Sequence, residues 1–400
     1  MKNLVWGNPG NELDLLANRM LDRNNEFYLI GTGKEISFFI NRIGKELISN
    51  GQLKSCVLTE ETERYTTEEL GISIIRDIDI PHNNFTMIIC VSRGRVKYDA
   101  VKQLCEGYGF QENVQFFQGE IFTMIYEVYV KDIIKLDRVE VFMTSYCSLS
   151  CKNCIAFIPY FKERKHVPLA KLKRDADILF SKVDYIYKLK ILGGEGLCYP
   201  YLIEYIDYLH LNYGEKIGSL RIGTNGTIIP SCGLLEACKR DCVTLDISDY
   251  VLAVANKSKI DDIISLCKEN GVPVDIKRTG EQWLDMGFPE NIPAEKNEEQ
   301  LRNHFSKCAM LCRDFYNGKL FFCCSNFAAM AAGLIDLSHN DYFDFERNFS
   351  KKELLEYELG YSNLGHTTFC KVCRGCSDEV NPFHVEVAKQ IENNGGIAYE

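Results

Sequence analysis

Short apolar runs alternate with amphipathic segments along most of the chain, and this alternation restricts the fold more than any other feature. Between residues 27 and 118, buried-strand candidates such as FYLIG (27–31) and TMIICVS (86–92) are separated by helical patterns. Strands joined by helical crossovers pair in parallel, and the helices then cover the sheet. The first third of the chain therefore predicts a small Rossmann-like parallel-sheet domain, which we place at residues 1–130.

A second series of the same kind occupies residues 131–299. Its candidate strands are RVEVFM (138–143), KLKILG (188–193), SLRIGT (219–224), VTLDIS (243–248) and PVDIK (273–277). The helical segments between them lie near 169–183, 199–212, 231–240 and 258–270. This order predicts an α/β barrel or part of one, in which functional residues belong at the carboxyl ends of the strands.

Composition excludes several classes of protein. The 400 residues suffice for two or three domains, and a net charge of −10 disfavours binding to nucleic acid or to an anionic membrane. No apolar run is long enough to span a bilayer, and the first residues, MKNLVWGNPGNELDLL, lack the apolar core of a signal peptide. We therefore expect a cytoplasmic protein that binds neither nucleic acid nor membranes.

Eighteen cysteines are many for such a chain, because cytosolic thiols stay reduced. The segment TSYCSLSCKNC (144–154) brings Cys147, Cys151 and Cys154 within eight residues. A structural zinc site uses four ligands, commonly two CxxC pairs, and no nearby His or Cys completes a tetrahedron here. Three thiolates can instead hold three irons of a 4Fe–4S cluster and leave the fourth iron open.

This CxxxCxxC loop resembles the signature of radical S-adenosylmethionine (SAM) enzymes. LGGE (192–195), TNG (224–226) and SDY (248–250) follow predicted strands where that family has its SAM-binding segments. The resemblance implies a partial TIM-type (β/α)6 barrel in which SAM binds the open iron and is reductively cleaved to a 5′-deoxyadenosyl radical. The cofactor-binding residues it implies are Asn153, Gly193, Gly194, Glu195, Thr224, Asn225 and Ser248. Asn153 departs from the aromatic residue that the family usually has before the third cysteine.

Residues 300–400 are rich in cysteine and less regular. Cys308, Gly318 and Cys323 have the spacing that opens the SPASM/twitch extension of many radical SAM enzymes, and CKVCRGC (370–376) follows. The resemblance implies one auxiliary 4Fe–4S cluster. Its expected ligands are Cys308, Cys323, Cys370, Cys373 and, competing for one place, Cys376, which leaves Cys312 and Cys324 as spares. A zinc ribbon is the alternative, because two separated cysteine pairs also hold zinc.

The resemblance implies hydrogen abstraction from a small polar substrate, with oxidation or rearrangement assisted by the auxiliary cluster. Sugars, aminocyclitols and nucleotide-linked sugars are the expected substrates, and reduced flavodoxin or ferredoxin is the expected electron donor. Candidate catalytic residues come from strand ends and from the loop KRTGEQWLDMG (277–287). They are Asp249, Tyr250, Arg278 and Asp285.

Two other functions remain open at this stage. Many SPASM proteins modify ribosomal peptides, but they often carry a winged-helix recognition domain, which the βαβ pattern of 27–118 does not resemble. A non-enzymatic redox or scaffold protein would leave the GGE motif without a role.

The turn GTGK (31–34) would suit a nucleotide phosphate, but Ile36 stands where the dinucleotide fingerprint has its third glycine. A tight turn without ligand explains GTGK equally well.

Overall fold

The structure is a computed structural model, and it describes residues 11–59, 65–92, 95–255, 258–278, 280, 282–310, 312–360 and 364–391. The described residues form two compact units. One lies within Asn8–Ile134 and Lys351–Glu356, and the other within Lys135–Ser350 and Tyr357–Glu400. Among the described residues, no helix combines the length and apolar character that crossing a bilayer requires.

The first unit is built on a five-stranded parallel sheet. Its strands are β1 (Glu26–Gly31), β2 (Leu53–Leu58), β3 (Ser73–Ile74), β4 (Thr86–Cys90) and β5 (Phe116–Gln118). Its helices are α1 (Asn11–Met20), α2 (Gly33–Phe39), α3 (Lys45–Ser49), α4 (Thr67–Leu70), α5 (Arg95–Gly107) and α6 (Gly119–Lys131). The strand order β3-β2-β1-β4-β5 is that of a Rossmann-type sheet. The predicted parallel α/β fold is thereby confirmed for this segment.

The core of the first unit lies between its sheet and α5. Ile30 of β1, Ile88 of β4 and Tyr98 of α5 belong to one buried cluster. Strand β4 is buried along its whole length, which explains its continuous apolar sequence. Strand β5 and helix α6 continue the alternation of strands and helices, although the sequence pattern did not single them out.

The second unit contains the remaining strands. Five of them, β6 (Lys135–Phe142), β7 (Tyr185–Leu192), β8 (Leu220–Thr224), β9 (Val243–Asp249) and β10 (Val274–Arg278), are parallel to their neighbours. The others are β11 (Gln282–Leu284), β12 (Asp314–Tyr316), β13 (Lys319–Phe321), β14 (Tyr342–Asp344) and β15 (His384–Glu386). The large sheet has the order β10-β9-β8-β7-β6-β12-β13-β14.

Helices follow most of the parallel strands of this unit. They are α7 (Leu169–Lys182), α8 (Leu202–Tyr213), α9 (Cys232–Ala237), α10 (Val251–Val254) and α11 (Ile260–Asn270). Helices α12 (Glu298–Lys307), α13 (Cys324–Ala331) and α14 (Lys351–Glu358) belong to the C-terminal hundred residues and the segment just before them. All five strands predicted for residues 131–299 are therefore present in the predicted order.

The expected count of six strands in a (β/α)6 barrel is not met among the described residues. The chain after β10 enters β11, which pairs antiparallel with β15 instead of lying parallel beside β10. The sheet is extended at its opposite edge, where β12 lies parallel to β6. Strand β11 therefore pairs with β15 of the C-terminal segment and does not extend the large sheet beside β10.

A buried carboxylate of α7 holds the turn between β12 and β13. Asp175 accepts the backbone N–H groups of Asn317 at 2.7 Å and Gly318 at 3.0 Å. Both of these residues have a left-handed backbone, with φ of 53° and 67°. The chain continues from β13 directly to Cys323 and Cys324, so this contact also positions two cysteines.

We expect Asp175→Ala to lower the free energy of unfolding by about 2 kcal/mol, because two N–H groups lose their acceptor. The matched control is Glu269→Ala on the exposed face of α11, which should change stability by less than about 0.5 kcal/mol. Urea denaturation measures both. Equal midpoints for the two variants would contradict the assigned role of Asp175.

Candidate functional site

The loop after β6 carries its three cysteines to the carboxyl edge of the parallel sheet. Cys147, Cys151 and Cys154 line a cavity of about 440 Å³. The segments that follow β7, β8 and β9 line the same cavity, as expected where parallel strands end together. Six of the expected cofactor-binding residues are in its wall: Asn153, Gly193, Gly194, Thr224, Asn225 and Ser248.

The GGE motif forms backbone hydrogen bonds with the segment that precedes Cys147. Gly194 donates to the Thr144 carbonyl and Glu195 to the Tyr146 carbonyl, both at 2.8 Å. A Cβ on Gly194 would lie 2.5 Å from the Tyr146 oxygen and 2.8 Å from the Cβ of Cys147. Glycine is therefore required here because two backbones approach closely.

The buried carboxylate of Glu195 joins the GGE motif to the TNG motif. Its Oε1 accepts the N–H of Leu197 at 3.0 Å, and its Oε2 accepts the N–H of Asn225 at 2.7 Å. Burial raises the pKa of Glu195, while these hydrogen bonds act in the opposite direction. One carboxylate thus sets the distance between two cavity-lining segments. Its contact with the ammonium group of SAM stays a prediction.

Asn225 connects the TNG motif to the cysteine loop. Its Nδ2 donates to Ser148 Oγ at 3.0 Å and lies 3.6 Å from Cys147 Sγ, while its Oδ1 accepts the N–H of Thr227 at 3.1 Å. The N–H of Leu149 also points to Cys147 Sγ, at 3.4 Å. Burial raises the pKa of the Cys147 thiol. The two N–H donors are placed to stabilise the thiolate that a metal would bind.

The C-terminal segment 386–391 packs against the cysteine loop. Gln390 accepts the N–H of Ser150 through Oε1 at 2.8 Å and donates through Nε2 to Cys151 Sγ at 3.3 Å. Val387 belongs to an apolar cluster that surrounds the thiols. Sequence reasoning missed Gln390, because a single glutamine in a polar segment carries no recognisable spacing. In the sequence, Gln390 is marked only by its apolar neighbours, the pair at 387–388 and Ile391.

Tyr250 is the catalytic candidate that lines the cavity. Its ring meets Trp283 edge to face, with centroids 5.4 Å apart. Burial raises the pKa of Tyr250 to about 12, so its hydroxyl is neutral near pH 7. A neutral phenol at this place donates a hydrogen bond instead of removing a proton.

The other catalytic candidates are placed differently. Asp285 binds the Arg374 guanidinium and accepts the N–H of Gly287 at 2.9 Å. Neither Asp285 nor Asp249, the last residue of β9, is among the described residues that line the cavity. The side chain of Arg278 lies outside the part of the chain that the structure describes. The roles proposed for these three residues stay predictions.

A second group of thiols forms in the C-terminal part of the chain. Burial raises the pKa of Cys373, and the nearby thiols of Cys323, Cys370 and Cys308 raise it further. The Lys296 ammonium donates to the carbonyl oxygens of Cys370 at 3.2 Å and Cys373 at 3.0 Å. The grouping brings together the four residues expected to bind an auxiliary cluster, whereas the fifth candidate, Cys376, lines the cavity.

The separation of ligand atoms identifies one compact group of potential metal ligands. Two thiolates on one tetrahedral zinc lie about 3.8 Å apart, because each Zn–S bond is about 2.3 Å long. Among the described residues, one trio of potential ligands has all its atoms within 4.8 Å of one another: Glu140, Cys312 and Cys324. The cysteines of the loop and of the second group do not form such a trio within the described part of the chain.

The glycine turn at the start of α2 is occupied by groups of the protein itself. Thr32 and Glu35 form a capping box that satisfies backbone N–H groups of the first turn. A Cβ on Gly33 would lie 2.0 Å from Cδ2 of Tyr65, so this glycine makes room for the tyrosine ring. A phosphate at this turn would have to displace Tyr65, and the nucleotide interpretation of GTGK stays a prediction.

No protein-family model matches the chain, and no curated protein sequence matches it. Three solved structures are similar over part of the chain. Streptococcus suis SuiB bound to S-adenosylmethionine has 15% identity and a TM-score of 0.31 over 53% of this chain and 43% of SuiB. BtrN in complex with AdoMet and 2-DOIA has 16% identity and a TM-score of 0.40 over 62% of this chain and 98% of BtrN. The structure of anSMEcpe with bound AdoMet has 13% identity and a TM-score of 0.35 over 60% of this chain and 89% of anSMEcpe. The matched region thus spans less than half of SuiB.

We expect Gly194→Ala to displace the cysteine loop, because its Cβ would collide with the backbone at Tyr146. After anaerobic reconstitution, iron should fall from about eight to about four atoms per chain. The matched control is Gly107→Ala, whose Cβ would meet no atom within 4 Å. Iron content equal to that of the control would contradict the required close approach.

Proposed function

We propose that this protein is a radical SAM enzyme that reductively cleaves SAM to a 5′-deoxyadenosyl radical and abstracts hydrogen from a small polar substrate. The observation that carries the proposal is that Cys147, Cys151 and Cys154 line one cavity at the strand ends, together with Gly194 and Asn225 of the two following motifs. These thiolates would hold a 4Fe–4S cluster with one iron left for SAM. When bound, that cluster supplies the electron that breaks a carbon–sulfur bond of SAM.

The residues around the loop have roles that follow from their contacts. Gly194 lets the GGE backbone approach Cys147, and Glu195 ties this motif to the TNG segment. The N–H groups of Asn225 and Leu149 direct positive charge toward the sulfur of Cys147. The apolar cluster that includes Leu149 and Val387 limits access of water to the thiols. Such shielding protects a reactive radical from side reactions.

An auxiliary 4Fe–4S cluster in the second thiol group would complete an oxidation. Removal of a hydrogen atom leaves the substrate one electron above the two-electron oxidised product, so a proton and an electron must still leave. The electron would pass to the cluster bound by Cys308, Cys323, Cys370 and Cys373. Tyr250 would hold the substrate through a hydrogen bond, because its raised pKa keeps the hydroxyl protonated.

Three features favour a sugar, an aminocyclitol or a nucleotide-linked sugar as the substrate. The cavity volume of about 440 Å³ lies within the range of small-molecule sites, about 300–1,000 Å³. Its wall includes the charged side chains of Arg138, Glu140 and Lys190, which suit a polar ligand. The strand order of the N-terminal sheet is that of nucleotide-binding domains.

We assign a separate role to each of three segments. Residues 1–130 would bind the nucleotide part of a substrate, residues 131–299 would form the partial barrel that holds SAM, and residues 300–400 would hold the auxiliary cluster. Reduced flavodoxin or ferredoxin would supply electrons. The competing proposal, a ribosomal-peptide maturase, uses the same cysteines and differs in the substrate.

Reduced, reconstituted protein should convert SAM to 5′-deoxyadenosine, which chromatography measures. Cys151→Ala should abolish this cleavage, whereas Cys373→Ala should retain it and fail to turn over the true substrate. Cys232→Ala, at an exposed cysteine outside both groups, is the control and should behave as wild type. Absence of 5′-deoxyadenosine from wild-type protein with several reductants would defeat the proposal.

Thermal-shift measurements with nucleotide sugars, free aminocyclitols and candidate peptides should separate the substrate classes. We expect the sugar or aminocyclitol ligands to raise the melting temperature, because a ligand that binds the folded state stabilises it by mass action. Stabilisation by peptides alone would favour the maturase and contradict the proposed substrate class.

A further inference from the structure

Three side chains gather on the cavity wall at a place to which the proposed radical chemistry assigns no cofactor. The Cys312 thiol interacts with the side chains of both Cys324 and Glu140. The ligand atoms of the three residues all lie within 4.8 Å of one another, and all three residues line the cavity. The pairing of β12 with β6 brings them together, because Cys312 precedes β12 and Glu140 lies on β6.

We infer that Glu140, Cys312 and Cys324 form a mononuclear zinc site in the cavity wall. Two thiolates and a carboxylate are ligands that zinc takes in proteins, whereas magnesium and calcium prefer oxygen alone. Three protein ligands leave one tetrahedral position for water or a substrate oxygen. On a cavity wall, that arrangement is typical of a catalytic zinc rather than of a structural one.

The charges around the trio suit a divalent cation. Two thiolates and one carboxylate carry three negative charges, and the Arg138 guanidinium, which binds Oε1 of Glu140, offsets one of them. Lys190 faces Glu140 from β7, but its ammonium binds Asp246 at 2.8 Å. A dication offsets the remaining two charges. The Arg138 contact leaves Oε2 of Glu140 for the metal and orients the carboxylate.

A buried carboxyl group beside the trio provides a second, independent observation. Asp314 pairs with Glu140 across β12 and β6, and only 3% of its surface is exposed. Its Oδ2 has no hydrogen-bond partner within the described part of the chain. Asp314 also interacts electrostatically with Glu140 and Cys312. An unpartnered buried oxygen is costly, and the water of a hydrated cation would satisfy it.

The spacing also argues against other uses of the two cysteines. A cluster iron is bound by one protein thiolate, and among the described residues neither proposed cluster group contains a trio as compact as this one. Cys312 and Cys324 are free thiols and are not joined as a disulfide. The proposed zinc site does not depend on SAM cleavage and stands or falls separately from it.

The test measures zinc and iron together in reconstituted holoprotein that is equilibrated anaerobically with zinc and desalted. Wild-type protein should retain about one zinc atom per chain, and Cys312→Ala and Cys324→Ala should each lower it at least tenfold with iron unchanged. Unchanged iron shows that each variant is folded and retains its clusters. Cys232→Ala is the matched control and should keep its zinc.

X-ray absorption at the zinc edge of wild-type protein gives a readout independent of the variants. We expect two sulfur neighbours at about 2.3 Å and oxygen neighbours at about 2.0–2.2 Å. Four sulfur neighbours would place the zinc in a cluster group and overturn the inference. Zinc that persists in both cysteine variants would overturn the inference. Wild-type protein that binds no zinc would also overturn it. So would a disulfide between Cys312 and Cys324 that persists under reducing conditions.

Discussion

The backbone pairing between the GGE motif and the segment before Cys147 is the contact on which the candidate site depends. It continues the β6–β7 pairing beyond the ends of both strands, where a side chain on Gly194 would collide with the Tyr146 carbonyl. The pairing directs the cysteine loop over the strand ends, and the buried carboxylate of Glu195 then attaches the TNG segment to the same edge. The proposed positions of cofactor and substrate therefore depend on one close approach of two backbones.

Two kinds of metal site are proposed for this chain. The ligand atoms of Glu140, Cys312 and Cys324 lie within 4.8 Å of one another, and among the described residues neither proposed cluster group contains such a trio. This difference assigns the proposed zinc ion to two cysteines that the sequence left without a role, while the zinc ribbon stays an alternative for the C-terminal cysteines. The cysteine loop and the proposed zinc site line the same cavity, so a substrate there would reach both.

Local patterns were sufficient to predict much of this site. The five parallel strands of residues 131–299 were predicted in order because each is a short, largely apolar run and helical patterns separate most of them. The loop cysteines were identifiable because their spacing lies within eight residues. The pairing of β11 with β15 and the contact of Gln390 with Cys151 depend on chain segments about 100 to 240 residues apart. Contacts between residues so far apart in the sequence leave no local periodicity. The proximity of Glu140 and Cys312 could not be predicted for the same reason.

The central claim is that three thiolates hold a cluster whose fourth iron binds SAM. Pulsed electron–nuclear resonance on the reduced protein, with SAM labelled with ¹⁵N in its amino group and ¹⁷O in its carboxylate, tests it most directly. The account predicts hyperfine coupling of both labels to the reduced cluster, lost in a Cys147→Ala variant that retains the auxiliary cluster signal. A reduced cluster that shows no coupling to either label while SAM is bound would contradict the account.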